Sequence, residues 1–103
     1  MKTDPPNVTP PSLEIVWSPV ALKRLREIRA FVAADKPDAA ERLAARIVAV
    51  VEALRHHPYL GRSGNAADIR ELAIGGTPYI ILYRVAAKRI EIQTIRHGAR
   101  QSR

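Results

Sequence analysis

Cysteine is absent from the 103-residue chain. That excludes a disulfide scaffold, a thiolate nucleophile and any cysteine-ligated metal site. No apolar run approaches the roughly 20 residues that span a bilayer. The opening MKTDPPNVTPPS lacks the apolar segment of a secretory signal. These absences fit a protein of a reducing cytoplasm. Acidic residues are short in the second half. Residues 55–103 hold nine Lys/Arg against three Asp/Glu, while residues 1–54 hold eight against seven, so nearly all of the formal charge of +7 lies in the second half.

The motifs of common enzymes are missing too. There is no phosphate-binding glycine loop of the Walker type and no serine in a G-x-S-x-G elbow. No carboxylate pair is spaced for acid/base work on a sugar. His56 and His57 are adjacent, cannot share a helix face and have no third ligand at metal spacing, so no metal site is expected. Nothing calls for a cofactor.

What is present is a basic, apolar C-terminal half. From Ile69 to Arg100, three runs rich in Ile, Leu, Val and Tyr are separated by Gly75-Gly76-Thr77-Pro78 and Ala86-Ala87-Lys88-Arg89. That pattern predicts a three-stranded antiparallel meander. In the run Tyr79–Val85 both parities are largely apolar, which predicts cover on both faces. Thirteen of the seventeen basic residues are arginine, the side chain suited to forked contacts with carboxylate or phosphate. Arg62, Arg70, Arg84, Arg96, His97 and Arg100 form a set of cations around the sheet. Such a set suits either a phosphate in RNA cleavage, with His97 as proton donor, or docking without catalysis.

Upstream, residues 1–12 carry four of the eight prolines and are expected to be a flexible tail. Residues 13–103 then form one domain. Leu13–Trp17 reads as a first strand with Leu13, Ile15 and Trp17 on one face, Trp17 being a core or interface anchor. Ser18-Pro19 starts a helix by capping and by proline at the first helical position. Leu22, Leu25, Ile28, Phe31 and Val32 make its apolar stripe. Pro37 opens a second helix, with Asp38 and Glu41 in its first turn and a stripe of Ala40, Leu43, Ala44, Ile47, Val50, Val51 and Leu54. The short connection predicts an antiparallel helix hairpin, with helices within 19–35 and 37–57. Pro58–Asp68 reads as a loop, with Arg62 presented between Gly61 and Gly64. The fold class is therefore α+β: an N-terminal strand, a helix hairpin and a three-stranded meander in one twisted sheet.

In this order the elements resemble the RelE/ParE superfamily of toxins from bacterial type II toxin–antitoxin systems. The resemblance runs from about Leu13 to Arg100. It is carried by Trp17-Ser18-Pro19 with Ala21 and Leu25, Asp35–Ala40, Pro58–Gly64, Arg70-Glu71-Leu72, Pro78–Val85 and Ile95–Arg100. RelE-like members cut mRNA in the ribosome, whereas ParE-like members inhibit DNA gyrase. The nuclease branch typically has lysine and glutamate after the second helix and a tyrosine near the C-terminal end. Here Arg62–Ala67 has neither Lys nor Glu, and His97 is followed by Gly98-Ala99-Arg100.

The resemblance thus implies a ParE-like gyrase inhibitor, with Arg62, Arg70, Arg96, His97 and Arg100 as target-binding candidates. The alternatives are a ribosome-dependent endonuclease, with His97 as acid and Arg62, Arg70 and Arg84 on the phosphate, and a non-toxic basic binding module. It also implies a ParD-like antitoxin with an acidic C-terminal segment, docked against Trp17, Leu25, Ile28, Leu54, Tyr79, Ile81 and Tyr83. Neither a membrane nor direct nucleic-acid binding outside the complex is expected.

Overall fold

A computed structural model describes residues 13–64, 66 and 68–98. The expected tail 1–12 and Arg100 lie outside the described residues. The elements are β1 (Glu14–Trp17), α1 (Pro19–Ala33), α2 (Pro37–Ala53), β2 (Arg62–Ser63), β3 (Ile69–Ala73), β4 (Tyr79–Val85) and β5 (Arg89–His97). The strands form one sheet in the order β1-β5-β4-β3-β2.

Local chemistry sets each boundary. The Ser18 hydroxyl accepts the Ala21 N–H at 2.9 Å and so caps α1, with Pro19 next. Pro37 opens α2 with Asp38 in its first turn, although Lys36 supplies no side-chain cap. Three residues link the helices, so α2 must fold back along α1. Both helices fall inside the ranges expected from the sequence. Gly76 has φ of +78° in the turn between β3 and β4, a conformation glycine adopts without steric cost.

The core lies between the hairpin and one sheet face. It holds Ala21, Ile47, Val51 and Leu54 from the helices and Ile74, Tyr79, Ile81, Tyr83, Ile90, Ile92 and Ile95 from the sheet side. Each fully buried isoleucine contributes about 1.5–3 kcal/mol of transfer free energy. Leu13, Ile15 and Trp17 pack against this cluster, half-buried, as the alternation in β1 predicts.

One feature departs from the sequence reading and two go beyond it. The sheet has a fifth strand: Arg62–Ser63 pairs antiparallel with β3 inside the segment read as a loop. The N-terminal strand runs parallel to β5, with Ile15 opposite Ile90 and Trp17 opposite Ile92. In β5 the register slips at Gln93, because Leu82 faces Thr94 while Tyr83 faces Ile92. That bulge puts Ile90, Ile92 and Ile95 on one buried face despite their mixed spacing.

Candidate functional site

The helices cover one face of the sheet and leave the other to polar side chains. Cross-strand pairing assigns the faces, because residues directly opposite in an antiparallel ladder point the same way. Tyr79, Ile81 and Tyr83 of β4 point to the helices. Ile80, Leu82 and Arg84 point outward, with Arg62, Glu71, Thr94 and Arg96 around them. Ile80 and Leu82 are half-buried without a helix over them. Part of the second cover expected for β4 is thus supplied by long charged side chains of the sheet itself.

Those charges form two arginine–glutamate–arginine groups. Glu71 is only 8% exposed. Its Oε1 is 3.5 Å from Arg62 Nη2 and 3.3 Å from Arg96 Nη2, so one carboxylate oxygen faces two guanidinium groups. Arg62 is mostly exposed, whereas Arg96 is about three-quarters covered. The Nε of Arg96 is buried and has no hydrogen-bond partner among the described residues. The second group is more open: Glu91 meets Arg84 at 2.6 Å and Arg89 at 2.8 Å. Hydrogen bonds from Arg84 and then Arg89 hold the Glu91 carboxyl below its ordinary range, and Glu91 in turn raises Arg84.

A third arrangement fixes the segment that carries Arg62. The Tyr83 hydroxyl, buried, accepts the Gly61 N–H and donates to the Pro58 carbonyl, both at 2.8 Å. Burial raises the Tyr83 phenol above its ordinary pKa, against smaller lowering effects of the Gly61 N–H and the Arg70 charge. Arg70 donates to the Gly61 carbonyl at 2.8 Å and stacks over the Tyr59 ring at 4.7 Å. Gly61 itself has no room for a side chain: a Cβ there would stand 2.9 Å from the Glu71 carbonyl oxygen and from Tyr83.

The cations singled out in the sequence therefore do not converge on one point, although Arg96 and His97 border the same cleft. Arg62 and Arg96 meet at Glu71. Arg84 is held at Glu91. Arg70 pairs across the ladder with Tyr83 and serves the 58–61 segment. His97 is opposite Tyr79 and meets its ring edge-on, with centroids 5.3 Å apart. Three of the residues assigned to a partner surface are core: Leu54, Ile81 and Tyr83 are 0% exposed, so no docked chain reaches them. Tyr79, at 8%, offers only an edge. Leu25 and Ile28 are half-buried and line surface grooves.

The sequence reading missed Glu71, Glu91, Tyr59 and Phe31. Phe31, placed on the core stripe of α1, is 77% exposed. It borders a cleft of about 610 Å³ with Ile28, Tyr79, Ile95 and His97. Glu71 had one signal: a lone acid inside a strand among arginines, at a central position where a charge needs a partner. No cluster of three or more potential metal ligands occurs among the described residues.

Comparison with known proteins agrees with this architecture. Residues 15–102 match the family described as the ParE toxin of type II toxin–antitoxin system, parDE. The chain is 45% identical over 87 residues to "Putative toxin Y4kP" of Sinorhizobium fredii, covering 84% of this chain and 90% of that protein. It is 38% identical over 87 residues to "Toxin RelE2" of Caulobacter vibrioides, covering 84% and 97%. A solved structure titled "Chromosomal ParDE TA system from P. aeruginosa" superposes with a TM-score of 0.77 at 24% identity, over 84% of this chain and 96% of that one. At that identity the match speaks for the fold. With a family match across nearly the whole described domain, and relatives aligned over almost their full length, the chain belongs to the ParE toxin family within the RelE/ParE superfamily of type II toxin–antitoxin systems.

Proposed function

We propose that this toxin acts as a ParE-like inhibitor of DNA gyrase and is silenced by a cognate antitoxin. The observation that supports this target over mRNA is the dispersal of the cations. RNA cleavage needs an acid, a base and phosphate-stabilising charges around one phosphodiester. Here His97 packs against Tyr79 while Arg62 and Arg96 face the Glu71 carboxylate; Arg96 borders one cleft with His97, but its guanidinium is already engaged by that carboxylate. A protein target makes no demand for such convergence.

The antitoxin follows from surface chemistry. Phe31 borders the cleft beside Ile28 and Tyr79, and a shallower groove between the helices is lined by Leu25, Ala45, Val48 and Ala49. An amphipathic helix fills such grooves with anchors at helical spacing. The excess positive charge of the second half favours an acidic partner and speeds its capture. A permanent pair would bury about 2,000 Å² or more in total.

A supercoiling assay beside an in-vitro translation assay tests the target. The expected result is inhibited gyrase supercoiling and intact ribosome-bound mRNA. The second reading is a ribosome-dependent nuclease, the other branch of the sequence resemblance, and one relative is named RelE2. Codon-specific mRNA cuts that vanish in His97→Ala would establish it.

A further inference from the structure

We propose that Glu71 is a specificity-determining residue: its carboxylate occupies, from within the chain, an oxyanion seat between Arg62 and Arg96, and thereby excludes phosphodiester ligands from the outer face of the sheet. The inference deepens the reading of the chain as a toxin aimed at a protein rather than at RNA, and rests on it for its biological sense.

Four observations carry it. First, the two arginines come from strands on opposite sides of β3 and β4 and converge on a single atom, Glu71 Oε1. Second, the carboxylate is nine-tenths buried on a sheet face that no helix covers, on the strand next to the β2 edge. A buried charge there is costly unless paired, so the carboxylate requires its cations. Third, the fork of Arg96 is only half used. An oxyanion normally takes Nε–H and Nη2–H of one guanidinium together. Glu71 meets Nη2, and Nε is left buried without an acceptor among the described residues. Two cations around a half-filled fork are the donor set of a tetrahedral or planar oxyanion, with a carboxylate of the same chain standing in for it. Fourth, the stand-in is held from both sides. Arg62 is the cross-strand neighbour of Glu71 in the β2–β3 ladder, and a Cβ built at Gly64 would lie 3.0 Å from Glu71 Oε2. The absence of a side chain at Gly64 is what lets the carboxylate lie there.

The Glu91 group provides the internal control. It has the same composition, an anion between Arg84 and Arg89, on the same sheet face. Both of its arginines are about half exposed, however, and its contacts already use Nε–H of each. Removing Glu91 changes the net charge equally without opening a buried fork.

The test compares full-length Glu71→Ala, Glu91→Ala and wild type in thermal unfolding with inorganic phosphate, against sodium chloride at matched ionic strength. Glu71→Ala vacates the seat, so phosphate is expected to raise its melting temperature by several degrees more than that of the other two proteins. Its affinity for a short single-stranded RNA is expected to rise about tenfold, against less than about threefold for Glu91→Ala, because one buried charge-assisted contact is worth roughly one decade. Equal phosphate response in the three proteins, or equal RNA affinity in the two variants, overturns the proposal. If Glu71→Ala folds only with phosphate present, the seat is supported. If it folds under neither condition, Glu71→Gln decides: RNA affinity above that of Glu91→Gln supports the seat, and equality overturns it. Gyrase inhibition by the wild type is read separately. Loss of that activity with a positive phosphate result removes the proposed target and leaves the seat standing, and the reverse pattern removes the seat alone.

Discussion

The Tyr83 hydroxyl and the Gly61 backbone are joined at 2.8 Å, twenty-two residues apart in sequence, inside the core. Through that one contact the centre of β4 fixes the segment that leads into β2. Tyr83→Phe would strand the Gly61 N–H and the Pro58 carbonyl, so a loss of about 1–3 kcal/mol is expected in urea unfolding. Gly61→Ala should cost more, since the added methyl meets backbone as well as Tyr83.

The same phenol gives an alkaline signature. Burial raises its pKa above the ordinary 10.0 in the folded protein. Between the unfolded and folded values the folded chain holds the extra proton, so stability is full below about pH 10 and falls as pH rises through the folded value. Chemical denaturation from pH 9 to 11 should show the decline in wild type. Tyr83→Phe should flatten it.

At the acid end the sign reverses. Glu91 lies below its ordinary 4.5 because Arg84 and then Arg89 hydrogen-bond its charged form, and Glu52 is lowered by Arg55. Stability from these pairs is present above that value and is lost as pH falls through the lowered one. Both pairs are solvated, so the acid limb between pH 5 and 3 should be shallow and should weaken further in high salt. Glu91→Gln should remove part of its slope in a pH series of thermal melts.

Ser18 makes two bonds that Ser18→Ala would delete together: its hydroxyl caps α1 at the Ala21 N–H and donates to the Gln93 carbonyl at 2.8 Å. A lost cap alone costs about 1 kcal/mol. The second bond anchors the β5 bulge, so a total of about 1–2 kcal/mol is expected in urea unfolding. A loss no larger than that of a bare cap would show that the bulge holds without Ser18.

These contacts also mark where the sequence stopped being readable. The hairpin was legible because Ser18-Pro19 and Pro37 punctuate it and the α2 stripe from Ala40 to Leu54 keeps helical spacing. The meander was legible from its turns. A two-residue strand such as Arg62–Ser63 is too short to show alternation. The bulge at Gln93 breaks the parity of β5, so strand alternation could not tell that Arg96 faces outward while His97 faces Tyr79. Glu71 was passed over in the sequence, because its two partners depend on a register that only the folded sheet defines. Phe31 kept the spacing of a core residue, yet α1 leaves it 77% exposed near its C-terminal end.

That exposed ring yields the prediction most directly tied to function. Phe31 is 77% exposed and borders the cleft formed with Ile28, Tyr79 and Ile95. A large aromatic left open beside a cleft with an apolar floor and a charged rim, here Arg24, Glu27 and Arg96, is a common anchor for a partner chain. Phe31→Ala removes little buried surface in the isolated toxin, so its unfolding free energy should change by no more than about 0.5 kcal/mol. If the antitoxin lies along this cleft, its affinity should fall at least about tenfold, chiefly through faster release, as expected for an apolar anchor. Calorimetry or surface-immobilised kinetics with the product of the adjacent reading frame measures both. Val48→Ala, on the groove between the helices, serves as the comparison. A larger effect there than at Phe31 would move the antitoxin helix from the α1–β5 cleft to the outer side of the hairpin.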